Sequence, residues 1–144
     1  MDKYEVYPIG IVKSPYKNPG DAPRQGALKP DEEMEIEIYE KFREGLGTFE
    51  GTTHLIVLLW FDKADREIMS GTPPGAKKSK PVFTIRSPHR PNPVGFDIAR
   101  IISVKDGIIK VSGLDALNNT PVIDIKPYVP SIDCIREAKG LNIK

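Results

Sequence analysis

The sequence predicts a mainly β fold: a small, mostly antiparallel barrel or sandwich with one short helix and long loops rich in proline and glycine. Three observations carry this reading. Strand-like segments follow one another with no helical pattern between them, so nothing is available to cross over a parallel sheet. The chain holds 14 prolines and 12 glycines, spread through nearly every part of it, and these exclude long helices. Its 144 residues suit one domain, 1–144, with no room for a second compact one. A domain of this size buries roughly 68–70% of the surface its unfolded chain exposes, so its stability needs no disulfide or metal.

Taken in order, Tyr4 to Val12 alternates as a strand, with Val6 and Val12 on one face and Tyr7, Ile9 and Ile11 on the other. Ser14 to Gly26 has no period, and its prolines and glycines mark a long loop. Arg24 and Gln25 are its candidate functional residues, weighed against an ordinary exposed loop. Glu35 to Tyr39 alternates as a half-buried strand with Ile36 and Ile38 facing in. Glu40 to Leu46 places Phe42 and Leu46 four apart, which predicts a short helix stopped by Gly45 and Gly47. The acids clustered over residues 31–50 read as a solvated face.

Thr52 to Phe61 is the strongest strand, apolar on both faces and therefore expected to be central and covered on both sides. Asp62 and Lys63 follow at its carboxyl end, where polar residues either line a site or simply end the strand. Ser70 to Pro81 reads as a second loop and Val82 to Ile85 as a short strand. Phe96 to Lys105 is a longer strand with Phe96, Ile98, Ile102 and Val104 on one face, broken by Arg100. Asp106-Gly107 predicts a type I′ hairpin, because both of its positions need positive φ. Ile108 to Ser112 returns, Asn118 to Pro121 turns, and Val122 to Lys126 alternates once more. A short, mostly polar tail, 131–144, ends the chain.

Composition excludes several function classes. A net charge of +1 rules out the overall basic character of a histone-like binder while leaving room for a local basic face. One cysteine, Cys134, permits no intramolecular disulfide, and with only His54 and His89 beside it no metal site is expected. The longest apolar run, Leu55 to Phe61, falls far short of the about 20 residues that span a bilayer. The charged amino terminus has no signal-peptide core. A reduced, cytoplasmic, soluble protein without a membrane partner is the expectation. Gly45, Gly47 and Gly51 miss the dinucleotide spacing, and no P-loop, GxSxG, HExxH or CxxC is present.

One block stands out. Ala76 to Phe96 carries Lys77, Lys78, Lys80, Arg86, His89 and Arg90 with no acid, interleaved with Pro81, Pro88, Pro91 and Pro93. Proline stiffens the backbone, and arginine forks suit carboxylate and phosphate, so the block reads as an anion or RNA site or as a stiff solvated loop. Asn92 is expected to cap a turn, and Gly95 to permit a close approach.

The strings SPYK (14–17), PRQ (23–25), RSPHRPNPVG (86–95), GLD (113–115) and TPVIDIKPYVP (120–130) resemble the TsaA-like proteins, also called the TrmO or YaeB family. The resemblance covers about residues 4–130. It implies a β-barrel that uses S-adenosylmethionine as cofactor, forms a homodimer, and methylates N6 of N6-threonylcarbamoyladenosine at tRNA position 37. Bacterial members often carry an additional carboxyl-terminal domain. Matched by motif, the cofactor contacts would be Pro23, Arg24, Gln25, Asp62, Lys63, Arg86, Phe96, Ser112, Gly113, Leu114 and Asp115. Arg24 or Arg86 would take the methionyl carboxylate, Asp115 an ammonium or ribose hydroxyl, and Phe96 the adenine or methionine stem. The general base is not identified; Asp115 and Asp124 are candidates as carboxylates. The competing readings are a non-catalytic module that binds S-adenosylmethionine or RNA, and a structural barrel whose Arg-rich loop serves a protein partner.

Overall fold

Alternation of apolar and polar residues builds the wall of this protein. In β2 (Glu33–Ile38), Met34, Ile36 and Ile38 are buried while Glu33 and Glu35 face solvent. In β3 (His54–Trp60), Leu55, Val57 and Leu59 are fully buried. The computed structural model describes residues 1–23 and 25–143, so Arg24 lies outside the described residues. The remaining elements are β1 (Gly10–Lys13), β4 (Ser70–Gly71), β5 (Lys80–Pro81), β6 (Val94–Lys105), β7 (Ile108–Ser112), β8 (Pro121–Pro127) and α1 (Pro130–Asp133).

Six strands close into an antiparallel barrel in the order β1-β2-β7-β6-β3-β8, while β4 and β5 pair as a separate two-residue ribbon. The core is the interior of the barrel, filled by Val12, Ile36, Leu55, Val57, Leu59, Ile109, Val111 and Val122 and capped by Leu114. The mainly β barrel expected from the sequence is the observed fold. The Asp106-Gly107 hairpin is also as expected, with φ of 53° and 78°.

Four expectations are corrected. The first strand begins at Gly10 and not at Tyr4; Tyr4, Val6 and Tyr7 are exposed and pair with nothing in the sheet. Glu40–Gly45 is a 3-10 helix, not an α-helix, and still turns Phe42 and Leu46 toward the core. Val82–Thr84 is a 3-10 turn where a strand was expected. Arg90 holds its first carbonyl and two just beyond it, donating to Val82 O, Ile85 O and Ser87 O at 2.8–3.2 Å.

The fourth concerns the faces of β3 and β6. Phe96, Ile98 and Arg100 point outward with Val94, while Gly95, Asp97 and Ala99 point in. A register shift between Ile101 and Ser103 then changes sides, so that Val104 packs against the core. β3 is flanked by β6 and β8, but its outer residues Ile56, Leu58 and Trp60 are only half-buried, so among the described residues no layer fully covers its outer face.

Candidate functional site

Two adjoining clefts open beside the barrel, where the long loops meet the strand ends. The larger, about 390 Å³, is walled by the 19–23 loop, by Phe61–Ala64 after β3, by Pro88 and His89, and by Asp115–Thr120 between β7 and β8. The smaller, about 200 Å³, lies among Gln25, Thr72–Pro74, Ile85–Ser87, Leu141 and Ile143.

Close backbone approaches bring these loops together. The expected close approach at Gly95 is the ring of Phe61; a Cβ there would stand 2.5 Å from it. The Phe61 amide donates to Pro93 O at 2.9 Å, which ties the exit of β3 to the proline-rich turn. A side chain at Gly26 would run into the carbonyl of Gly113, so glycine lets the first long loop lie directly on the turn after β7.

Between the two clefts runs a hydrogen-bonded chain. Asp97 is 2% exposed and lies on the inner side of β6. The Gln25 side-chain amide donates to Asp97 Oδ1 and, at 2.8 Å, to the carbonyl of Phe96. Arg86 Nη1 in turn donates to Gln25 Oε1 at 2.9 Å. On the other side, the Asp115 amide approaches Asp97 Oδ2 at 3.5 Å. Burial first, then the hydrogen bond that protonated Asp115 donates to Asp97 and the repulsion between the two carboxylates, push the Asp115 carboxyl up to about 9; the amides of Asp115 and Gly26 oppose the shift. Asp115 therefore holds a proton at neutral pH.

The loop facing these groups is fixed from outside. Arg66 stacks on Trp60 at 5.2 Å and donates to Pro91 O at 2.7 Å and to Asn92 Oδ1 at 3.1 Å. Asn92 thus anchors the turn through Arg66. His89 Nδ1 accepts from the Asp65 amide at 2.9 Å, so the ring proton sits on Nε2, which leaves a donor at the larger cleft.

The motif-matched residues divide between the clefts. Pro23, Asp62, Lys63 and Asp115 line the larger one, and Gln25 and Arg86 the smaller. Ser112 and Gly113 form the end of β7 and its turn, with Gly113 at φ +92°. The Leu114 side chain belongs to the core, which leaves only its backbone to a ligand. Phe96 points to the outer face, 45% exposed, and enters the hydrogen-bonded chain only by its carbonyl. Arg24 lies outside the described residues. Asp124 sits on β8, half-buried and paired with Lys126 at 2.9 Å, and lines neither cleft. Of the basic block, Arg90 is committed to carbonyls, while Lys77, Lys78, Lys80 and Arg86 remain exposed. Sequence reasoning missed Asp97. The signal was present: it is the one charged residue on the face of β6 opposite Phe96 and Ile98.

Comparison with known proteins agrees with this barrel and its loops. A protein of Archaeoglobus fulgidus named "S-adenosyl-L-methionine-binding protein" is 48% identical over 133 residues, covering 92% of this chain and 95% of that one. Two crystal structures of TrmO from Pseudomonas aeruginosa superpose with TM-scores of 0.80 and 0.78 at 32% and 33% identity. They cover 97% and 96% of this chain, which spans 61% and 62% of theirs. The family model described as the tRNA-methyltransferase O N-terminal domain matches residues 11–134, nearly the whole barrel with the larger cleft, and to that family this chain belongs.

Proposed function

We propose that this chain is an S-adenosylmethionine-dependent tRNA methyltransferase, and that its acceptor is N6 of N6-threonylcarbamoyladenosine at tRNA position 37. The observation that carries the reading is the meeting of Pro23, Asp62, Lys63 and Asp115 around one cleft, with Gln25 and Arg86 linked to it through Asp97. Family membership supports the same reading.

The residues fit the cofactor. The larger cleft falls within the roughly 300–1,000 Å³ of small-molecule sites. Ala22, Ala64 and Ala116 leave room, Phe61 offers an apolar wall, and Asp115 and Asn118 offer polar groups. Arg86 suits a carboxylate, since its guanidinium donates two parallel hydrogen bonds. With its proton held, Asp115 suits a ribose hydroxyl better than an ammonium. When bound, S-adenosylmethionine supplies a methyl group on a sulfonium. The chain supplies orientation: holding donor and acceptor about 3–3.5 Å apart contributes roughly 7–11 kcal/mol of the barrier.

The acceptor nitrogen must lose a proton. Of the two carboxylates considered as base, Asp115 lines the cleft and Asp124 does not, so Asp115 is the better placed, and it serves only once it has lost the proton that burial holds on it. The exposed Lys77, Lys78 and Lys80 suit the backbone phosphates of an RNA loop, which position without reading sequence. A tRNA substrate implies the cytoplasm. The outer face of β3 and β6 pairs Ile56 with Ile98, Leu58 with Phe96 and Trp60 with Val94, an open apolar surface that a second copy would cover as a homodimer.

A second reading, a binding module without transfer, is favoured by the name of the Archaeoglobus relative. One experiment separates them. Labelled S-adenosylmethionine is incubated with tRNA bearing threonylcarbamoyladenosine, and the nucleosides are resolved by mass spectrometry. Label on that nucleoside, lost with Arg86→Ala, is expected. Donor bound with no label transferred would leave the module.

A further inference from the structure

An amide side chain has two ends of nearly the same shape, one a donor and one an acceptor. Which end Gln25 turns to the smaller cleft decides whether Arg86 meets a partner or a rival donor. Its NH2 end is claimed by Asp97 Oδ1 and by the carbonyl of Phe96 at 2.8 Å. Both are acceptors, so Oε1 is left facing Arg86 Nη1 at 2.9 Å. With the amide reversed, two acceptors would face Oε1 and the guanidinium would face NH2.

The carboxylate that enforces this is costly to bury. Asp97 is 2% exposed, on the inner side of a strand whose neighbouring inward residues are Gly95 and Ala99, and burying a carboxyl among apolar walls costs several kcal/mol unless hydrogen bonds offset it. An apolar residue at 97 would serve the barrel better. The partners of Asp97 lie in the two loops that carry the cleft residues: Gln25 in one and, at 3.5 Å, the Asp115 amide in the other.

We propose that Asp97 is a positioning residue: from inside the barrel it sets the orientation of the Gln25 amide, and through it the place of the Arg86 guanidinium at the mouth of the site. This inference rests on the reading of Arg86 as a contact for S-adenosylmethionine. The proton on Asp115 accords with it, since it presents a donor and not a second negative charge toward Asp97.

The test is a double-mutant cycle with Asp97→Asn and Arg86→Ala, read by calorimetric titration with S-adenosylmethionine. Asp97→Asn keeps the shape of the side chain but can turn an NH2 toward Gln25, which leaves the Phe96 carbonyl as the one acceptor opposing a reversed amide. It is expected to weaken binding about tenfold where Arg86 is present and less than twofold where Arg86 is already alanine, within the range for residues of one hydrogen-bonded network. Additive losses, or no loss from Asp97→Asn, overturn the inference. A second measurement reads positioning without ligand: the Arg86 Nη1–H resonance, whose proton is bonded to Gln25 Oε1, is expected to exchange faster with water in Asp97→Asn than in the parent protein. An unchanged resonance overturns the inference. If Arg86→Ala itself leaves binding unchanged, the donor reading falls, and the resonance alone decides the role of Asp97. Should Asp97→Asn fail to fold, Gln25→Met removes the amide that links Asp97 to Arg86 and is expected to release Arg86 in the same spectrum; an unmoved Arg86 there equally overturns the inference.

Discussion

At the scale of residues, the chemistry of the site is a matter of two acids and what burial does to them. Asp115 lies among Pro23, Phe61 and Ala116 at the cleft, and loss of water together with Asp97 raises its carboxyl to about 9. The folded state therefore holds a proton that the unfolded chain releases near the ordinary carboxylate range. The consequence for stability has a definite sign. The contribution is complete at acid pH, declines once pH passes the ordinary carboxylate value, and is lost as pH rises through about 9. Asp115→Asn removes the titrating group. Thermal unfolding followed from pH 5 to 9 is expected to show a falling Tm in the parent protein, a flatter profile in the variant, and the larger gain from substitution at the alkaline end. The same slope in both proteins would assign the titration elsewhere.

At the scale of elements, local chemistry and tertiary contact take turns in deciding the outcome. The Asp106-Gly107 turn is local: both residues need positive φ, and the flanking strands β6 and β7 need a turn with matching twist. Gly107 sits at φ 78°, and an added Cβ would also meet the Arg43 side chain. Gly107→Ala is expected to cost about 1–2 kcal/mol in urea unfolding, with an unchanged m-value. A loss near zero would mean that the hairpin relaxes at no cost. Val82–Thr84 is the opposite case. Its residues suit a strand, yet Arg90, eight positions on, donates to the Val82 carbonyl and to those of Ile85 and Ser87 just beyond, contacts that accompany a 3-10 turn. The tight packing of Gly26 on Gly113 is likewise tertiary. Gly26→Ala is expected to push the Gln25 loop off the end of β7 and to weaken S-adenosylmethionine binding at least tenfold, about 1.4 kcal/mol, while the far-UV spectrum stays that of the barrel.

At the scale of the whole molecule, a closed barrel satisfies its sheet edges but gives its outer face nothing to pack on. Here that face carries Val94, Phe96 and Ile98, each about 40% exposed, beside Trp60, Leu58 and Ile56. If a second copy covers it, sedimentation will give twice 16.0 kDa, and Ile98→Glu will return the monomer mass with its thermal stability little changed. A parent protein that sediments as a monomer at micromolar concentration would remove the homodimer. The smaller cleft also takes Leu141 and Ile143 from the end of the chain, so the tail packs against the loops of the site.

What the sequence determined by itself is what has a local cause. Alternation in Glu35–Tyr39, the apolar run Leu55–Phe61, the prolines and glycines between strands, and Asp106-Gly107 together specify antiparallel strands joined by turns and long loops. The motif strings hold Pro23, Pro88, His89, Asp115 and Thr120 of the larger cleft and Gln25, Arg86 and Ser87 of the smaller. Tertiary structure decided which side of each strand is inside. A period of two defines two faces and does not say which one meets the core. Phe96, Ile98 and Ile102 form the more apolar face of β6, yet closure of the barrel turns Gly95, Asp97 and Ala99 inward. That inversion hid Asp97. Its partners, Gln25 and Asp115, lie 72 and 18 residues away. Only closure of the ring brings such distant positions together, because a hydrogen bond depends on separation in space, which sequence spacing records only within a turn or a helix.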